Sequence, residues 1–519
     1  MPQQFPPPFS TTRHIAISRL QSAVATVLRR GLAEEDQLAD TESVRQRASA
    51  HPMMVGMNLF VARHNGGSVD LSRENVEAHI DPGADRHTIH PLVHAYLAAR
   101  TVERIRSEAM GPEASAPPQL LDLNGHLAGF PDSDYAYAQW ALAAAEFLKQ
   151  GNPYPSPYVK VSDHGGPESD FGVFTIPADA KILLIGDFGT GLDDATSMLI
   201  AALTQLEPDF VIHLGDVYYS GTPDECATYC SVFQKAMQVS GVRPYVFSLP
   251  GNHEYISGGG GYFDRVLGLN KLIHGENPYE QRASYFSLRT ADGHWQFLGM
   301  DTGYNSVRTH TWNLSGAYSP WLEFGEAAWH RHKLATWSGR NILLSHHQLL
   351  SAFEVINDGD HAHYQSSASS HVSPDSLRYF NGNLNFVFRE YGRSIPVWFW
   401  GHEHSLNIFD TPELPIKGRL IGNSGYEEYE DEVAPPHVPG TKGSPWKIDP
   451  DVRVGTSSVE FKNKIYEGSY QFLNHAFAFV QLAGAGATVD YYEHPLTPIT
   501  TGFQHLDPKP LGHLYREQF

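Results

Sequence analysis

At 519 residues the chain exceeds what one hydrophobic core usually organises, so two domains or one heavily decorated domain is expected. A composition of 41% hydrophobic and 18% charged residues reads as soluble and globular, and the formal net charge of −21 argues against non-specific binding of nucleic acid or an anionic membrane. It leaves a phosphate substrate open, because a metal site supplies its own local positive charge.

The N-terminus, MPQQFPPPFSTTRH, lacks the apolar centre of a secretory signal, and no apolar run reaches the roughly 18 residues of a membrane span. Between Arg13 and Arg30, Ile17, Leu20, Val24 and Val27 fall at helical spacing, which favours an amphipathic helix over an organelle transit peptide. Residues 1–160 are expected to form a mainly helical domain of unassigned role. Its clearest helix starts at Asp132 and Ser133, carries Tyr137, Trp140, Ala144 and Leu148 on one face, and stops at Gly151 and Pro153. The stretch GNPYPSPY, Gly151–Tyr158, reads as a semi-rigid linker. The only cysteines, Cys226 and Cys230, are spaced i, i+4 and read as a small core pair, so a reducing, cytoplasmic location is expected.

A second domain is expected over residues 175–500, followed by a C-terminal tail at 501–519. Here short apolar runs end abruptly in polar loops: KILLIGDFG, DFVIHLGDVYY, YVFSLPGNHE, WQFLGMDTG, NILLSHH and VWFWGHEH. Helical segments such as Asp193–Leu206 and Phe324–Trp337 separate several of them, which predicts an α/β architecture with buried strands. Open sheets of this kind place ligands at the carboxyl ends of their strands. The stretch from 428 to 470, rich in Glu, Pro and Gly, reads as an irregular excursion, and NHAFAFVQL with VDYYEH as a hairpin returning to the sheet.

The strand-end loops carry Asp187, then Asp216 and Tyr219, then Asn252 and His253, then His346 and His347, and finally His402 and His404. All are oxygen or nitrogen donors, suited to Zn, Fe or Mn, and they are too many for one ion. The order GD-x-G, GD-x-x-Y, GNHE, a strand-end His and GH-x-H resembles the calcineurin-like metallophosphoesterases, and within them the purple acid phosphatases. That resemblance implies a four-layer fold of two mixed sheets flanked by helices. It also implies a dinuclear centre: Asp187, Tyr219 and His404 around Fe(III), Asn252, His346 and His402 around a divalent Fe, Zn or Mn ion, and Asp216 bridging. Most of the superfamily has Asp-x-His in the first motif, where this chain has Asp187-Phe188-Gly189, and Tyr219 stands where the purple acid phosphatases place a tyrosinate.

The implied reaction is hydrolysis of a phosphate monoester in a small phosphoester substrate, a metal-bound hydroxide attacking phosphorus in line. His253 is expected to contact the phosphate or leaving group, and His361 or His363 could protonate the leaving oxygen. His347 is a rival to His346, because Gln348 replaces the proline that usually follows the motif. His213 reads as a satisfied core histidine, Asp301 as structural, and Glu254 as either a ligand-orienting group or a helix-start carboxylate. A phosphodiesterase on the same metal core is the nearest alternative, and a non-catalytic metal-binding scaffold a more distant one.

Overall fold

The computed structural model describes residues 157–189, 193–217, 221, 223–256, 258–306, 320–351, 356, 379–409, 416–425, 458–463, 468–495 and 509–519. The expected N-terminal helical domain lies outside these residues, as do Tyr219, His361 and His363. Among the described residues no helix is long and apolar enough to cross a membrane.

In chain order the strands are β1 (Val173–Ile176), β2 (Lys181–Ile185), β3 (Phe210–His213), β4 (Tyr245–Ser248), β5 (Phe286–Thr290), β6 (Trp295–Met300), β7 (Arg340–Ser345) and β8 (Val397–Trp400). They continue as β9 (Leu406–Phe409), β10 (Lys417–Ile421), β11 (Ser458–Asn463), β12 (Gly468–Leu473), β13 (His475–Ala483), β14 (Gly486–His494) and β15 (Gly512–Gln518). The α-helices are α1 (Asp193–Leu206), α2 (Pro223–Ser240), α3 (Asn252–Ile256), α4 (Leu269–His274), α5 (Phe324–Thr336) and α6 (Gly382–Phe388). All six apolar runs picked out in the sequence form strands, and both expected helices form.

Two mixed sheets result. One has the order β1-β5-β6-β7-β8-β10-β9 and the other β15-β14-β13-β2-β3-β4. In the first, β6, β7, β8 and β10 are mutually parallel; in the second, β2, β3 and β4 are. Side-chain alternation sorts each strand between two apolar cores. Ile182 and Leu184 of β2 join Phe297 of β6 and Leu344 of β7 between the sheets, whereas Leu183 and Ile185 face Leu199 and Phe233 of the helices. On the far side of the other sheet, Leu343 and Trp398 pack with Trp329 of α5 and Phe388 of α6. Helix, sheet, sheet and helix make the four expected layers, and burial on both faces explains why the strands read as unbroken apolar runs.

Local sequence starts the helices where packing needs them. The Glu323 carboxylate accepts the Glu326 N–H at 3.0 Å to cap α5, and Asn381 accepts the Leu384 N–H at 3.0 Å to cap α6. Cys226 and Cys230 are free and buried on α2, as a core pair should be.

Two expectations need correction. The terminal hairpin forms as read, with β13 antiparallel to β2, but the supposed tail also returns to the sheet, where β15 pairs with β14. An edge strand has few buried side chains, so its apolar signal is weak. The supposed irregular excursion likewise contains β11 and the start of β12, paired as a two-stranded ribbon.

The last strand also ties the two sheets together. Arg419 of β10 donates from Nε and Nη2 to the two carboxylate oxygens of Glu517 on β15, each at 2.7 Å, and the Tyr491 hydroxyl donates to the same carboxylate at 2.6 Å. Both charged side chains are at most 5% exposed. Removing one partner strands a buried charge, so Glu517→Gln is expected to cost about 3–5 kcal/mol in urea-unfolding stability.

Candidate metal centre

The parallel strands deliver their carboxyl ends to one edge of the sandwich. There the backbone turns sharply. Four non-glycine residues have positive φ among the described residues: Asp187 (56°), Asp216 (64°), His402 (77°) and Glu207 (46°). Three of the four are predicted ligands, so left-handed strain concentrates at this edge, which is where functional sites commonly hold it.

The glycines of the motifs have a steric reason. A Cβ on Gly251 would lie 2.0 Å from Asp216 Oδ1 and 2.6 Å from the His346 ring, and one on Gly401 would lie 2.4 Å from Asp187 Oδ2. The loops meet so closely that a ligand of one loop occupies the space a side chain would need in the next.

His346 is the hub. Its Nδ1 lies 3.1 Å from the Leu214 carbonyl oxygen, and because a carbonyl only accepts, the proton sits on Nδ1. Nε2 therefore presents a lone pair to Asn252 Oδ1 at 3.1 Å, His402 Nδ1 at 3.2 Å and Asp216 Oδ2 at 3.2 Å. On the other side, His404 Nε2 lies 3.7 Å from Asp187 Oδ1. Ligand atoms of Asp187, Asp216 and His346 all fall within 4.8 Å of one another, which joins the two halves. Lone pairs crowded in this way repel unless a cation lies among them. The donors are carboxylate, amide oxygen and imidazole without thiolate, a set that fits borderline or hard metal ions.

Burial would by itself raise the Asp216 carboxyl, but the His253, His346 and His402 imidazoles outweigh it and hold that carboxyl well below its usual range. His253 donates its backbone N–H to Asp216 Oδ1 at 3.0 Å and sets its ring 3.6 Å from Oδ2. Burial, opposed by the Asp216 charge, lowers its imidazole to about 3, so the ring is neutral.

The loops are stitched to one another. Asp187 donates its N–H to the Gly215 carbonyl at 3.0 Å and accepts the His402 N–H on Oδ2 at 2.8 Å. The Glu254 carboxylate accepts N–H groups of Val217 at 2.6 Å and Gly251 at 2.7 Å, which fixes the loop of Asp216 to that of Asn252. Burial and the Asp216 charge raise the Glu254 carboxyl to about 8. Glu254 thus serves as a helix-start carboxylate through Gly251 and ties the neighbouring loop through Val217.

A buried network supports α3 from behind. The Tyr255 hydroxyl donates to Asp301 Oδ2 at 2.5 Å, the Asp301 N–H donates to Glu326 Oε1 at 2.8 Å, and the Tyr158 hydroxyl donates to Glu326 Oε2 at 2.7 Å. Burial first, then mutual charge, raises Asp301 to about 8, and burial raises Glu326 to about 8. Asp301 is thus structural, as read from the sequence. Tyr158, at the end of the supposed linker, belongs to this packed network.

Of the predicted site residues, the structure gathers Asp187, Asp216, Asn252, His253, His346, His402 and His404. His347 is there too: its Nδ1 lies 3.0 Å from Thr302 Oγ1, and its ring packs 4.5 Å from that of His402. His346 Nε2 faces Asn252, Asp216 and His402, and the ligand atoms of His346, His347 and His402 also lie within 4.8 Å of one another, so both members of the rival pair sit at the centre. His213 is buried with Nδ1 3.0 Å from Ser248 Oγ, while its Nε2 has no partner among the described residues. Thr302 and Ser351 were not found from sequence, since a lone hydroxyl after a strand carries no distinguishing signal.

Residues 180–406 match the family model for calcineurin-like phosphoesterases. The four-layer fold and the clustered donors of this stretch agree with that match. No curated protein matches the sequence. Among solved structures, one described as PhoD is similar at 10% identity, covering 66% of this chain and 70% of that one with a TM-score of 0.39. A dimetal phosphatase from Danio rerio is similar at 13% identity over 60% of this chain and 96% of that one, with a TM-score of 0.36. GAP50, the anchor in the inner membrane complex of Plasmodium, is similar at 13% identity over 61% and 84%, with a TM-score of 0.34. At these scores the likeness carries no argument of its own.

Gly251→Ala is expected to displace Asp216 and weaken metal affinity at least about tenfold by calorimetric titration, with an unchanged far-ultraviolet spectrum. Glu326 and Asp301 make a second prediction. A carboxyl raised in the folded state stabilises fully below its unfolded pKa, and that contribution fades as pH climbs through the folded value. Wild-type stability should therefore fall relative to Glu326→Gln between about pH 4 and pH 8, read from melting temperatures of both proteins across that range.

Proposed function

We propose that the chain hydrolyses phosphate monoesters of small substrates at a dinuclear metal centre. Asp187, Tyr219 and His404 would hold Fe(III), Asn252, His346 and His402 a divalent Fe, Zn or Mn ion, and Asp216 would serve both. The observation that carries the reading is the lone pair of His346 Nε2 facing three further acceptor-capable atoms within 3.2 Å. When bound, the metal ions would supply Lewis acidity toward phosphate oxygens and an activated water at neutral pH.

The chain's own residues divide the remaining work. Asp187, Asp216 and His346 are buried, whereas Asn252, His402 and His404 are partly exposed, so substrate reaches the centre from the side of those three. His253, neutral and next to Asp216, is placed to donate a hydrogen bond to a phosphate oxygen. The Asp216 carboxyl lies well below its usual range, which keeps it available to two cations. His361 and His363 are carried from the sequence as candidate leaving-group acids. Residues 1–160 are taken as a separate helical domain joined through Gly151–Tyr158, and the protein as cytoplasmic.

Parallel assays with p-nitrophenyl phosphate and its bis-ester, with metal analysis and a visible spectrum, test this reading. The expected result is turnover of the monoester and a tyrosinate-to-iron band that vanishes in Tyr219→Phe. Cleavage of the diester alone would assign a phosphodiesterase. Metal-loaded protein inert toward both esters across a broad pH range would point to the scaffold, and a colourless protein holding oxidised iron would remove Tyr219 from the ligand set.

A further inference from the structure

The GH-x-H motif carries between its two histidines a residue that the proposed chemistry leaves unused. Glu403 is 1% exposed, and its carboxylate accepts the hydroxyl of Ser351, which is itself fully buried. We propose that Glu403 is a positioning residue for the metal centre: by holding Ser351, it locks the loop after β8, which bears His402 and His404, to the loop after β7, which bears His346. The proposal rests on the dinuclear reading above.

The backbone around Glu403 has no slack. Its N–H donates to the Gly401 carbonyl at 3.0 Å, and its carbonyl accepts the Ser405 N–H at 2.6 Å, next to the left-handed His402. A Cβ on Gly422 would lie 1.9 Å from the Glu403 carbonyl oxygen, so that loop packs directly against this turn. Ser351 is an equally fixed post. Its N–H donates to the Tyr379 carbonyl at 2.9 Å, and the preceding Leu350 pairs with Phe380. A side-chain bond between two such points transmits position without play.

That matters because the distances it controls are short. His402 Nδ1 must stay 3.2 Å from His346 Nε2 although the two sit on different loops, and the Gly401 N–H meets the His346 carbonyl at 3.0 Å just behind them. Groups that orient ligands from outside the metal's own contacts typically carry about 10–100-fold in affinity. A glutamine can still accept the Ser351 hydroxyl, so the conservative variant separates hydrogen bond from charge.

The test is calorimetric titration of the full-length apoprotein with Zn²⁺, alongside kcat and KM for p-nitrophenyl phosphate. Glu403→Ala should weaken binding of one ion about 10–100-fold and lower kcat more than it raises KM. Ser351→Ala should match it, the double variant should lose little more than either single change, and Glu403→Gln should stay within a few-fold of wild type. Glu517→Gln, outside the ligand-bearing loops, should lose stability and keep wild-type affinity. If Glu403→Ala fails to fold, Ser351→Ala decides alone, since it removes only one hydroxyl. Wild-type affinity in Ser351→Ala and Glu403→Ala would overturn the clamp, as would a Glu403→Gln loss equal to that of alanine. A wild type that binds no metal would instead bring down the dinuclear reading itself.

Discussion

Five loops from two separate sheets must be held within about one hydrogen-bond length of each other, and buried carboxylates do most of that holding. Asp187 accepts the His402 N–H, Asp216 accepts that of His253, and Glu254 accepts those of Val217 and Gly251. The Asp187 N–H on the Gly215 carbonyl and the His346 ring on the Leu214 carbonyl close the circuit between the sheets. A carboxylate that accepts an amide N–H on one side still has lone pairs for a cation, so the same atoms can set the frame and fill the site.

The sandwich makes that circuit possible and explains its cost. Parallel β2, β3 and β4 in one sheet, and β6, β7 and β8 in the other, bring their ends to the same edge, but a gap between the two sheets has to be bridged. The loops close the gap with left-handed turns at Asp187, Asp216 and His402 and with glycines that leave room for the neighbouring ligand. Such strain persists only where surrounding structure over-determines it. The packed cores on both faces of each sheet, and the Arg419–Glu517 pair between sheets, supply that rigidity.

Much of this was legible in the sequence, for a definite reason. A strand buried on both faces announces itself as an apolar run, and a ligand at its end interrupts that run abruptly, so KILLIGDFG or VWFWGHEH gives element and site together. The strand β15 gives little signal because an edge strand buries few side chains, and the glutamate that ties it to the other sheet has its partner 98 residues away. Tyr158 was assigned to a linker because its neighbours are Pro, Ser and Gly; only the fold shows Glu326 waiting for its hydroxyl. Which of the rings of His346 and His347 faces Asn252 is seen only in the fold, since adjacent identical residues carry no such information.

The buried acids also fall into two groups, and the division follows their partners. Asp216 faces three imidazoles, which outweigh burial and keep it ionised. Glu254, Asp301 and Glu326 face amide N–H groups, a phenol or another carboxylate, and burial raises each to about 8. These three brace loops and helices around the centre through hydrogen bonds to amide N–H groups and phenols. Cations in the centre would deepen the contrast, since a nearby positive charge favours ionisation most strongly at the carboxylates it touches.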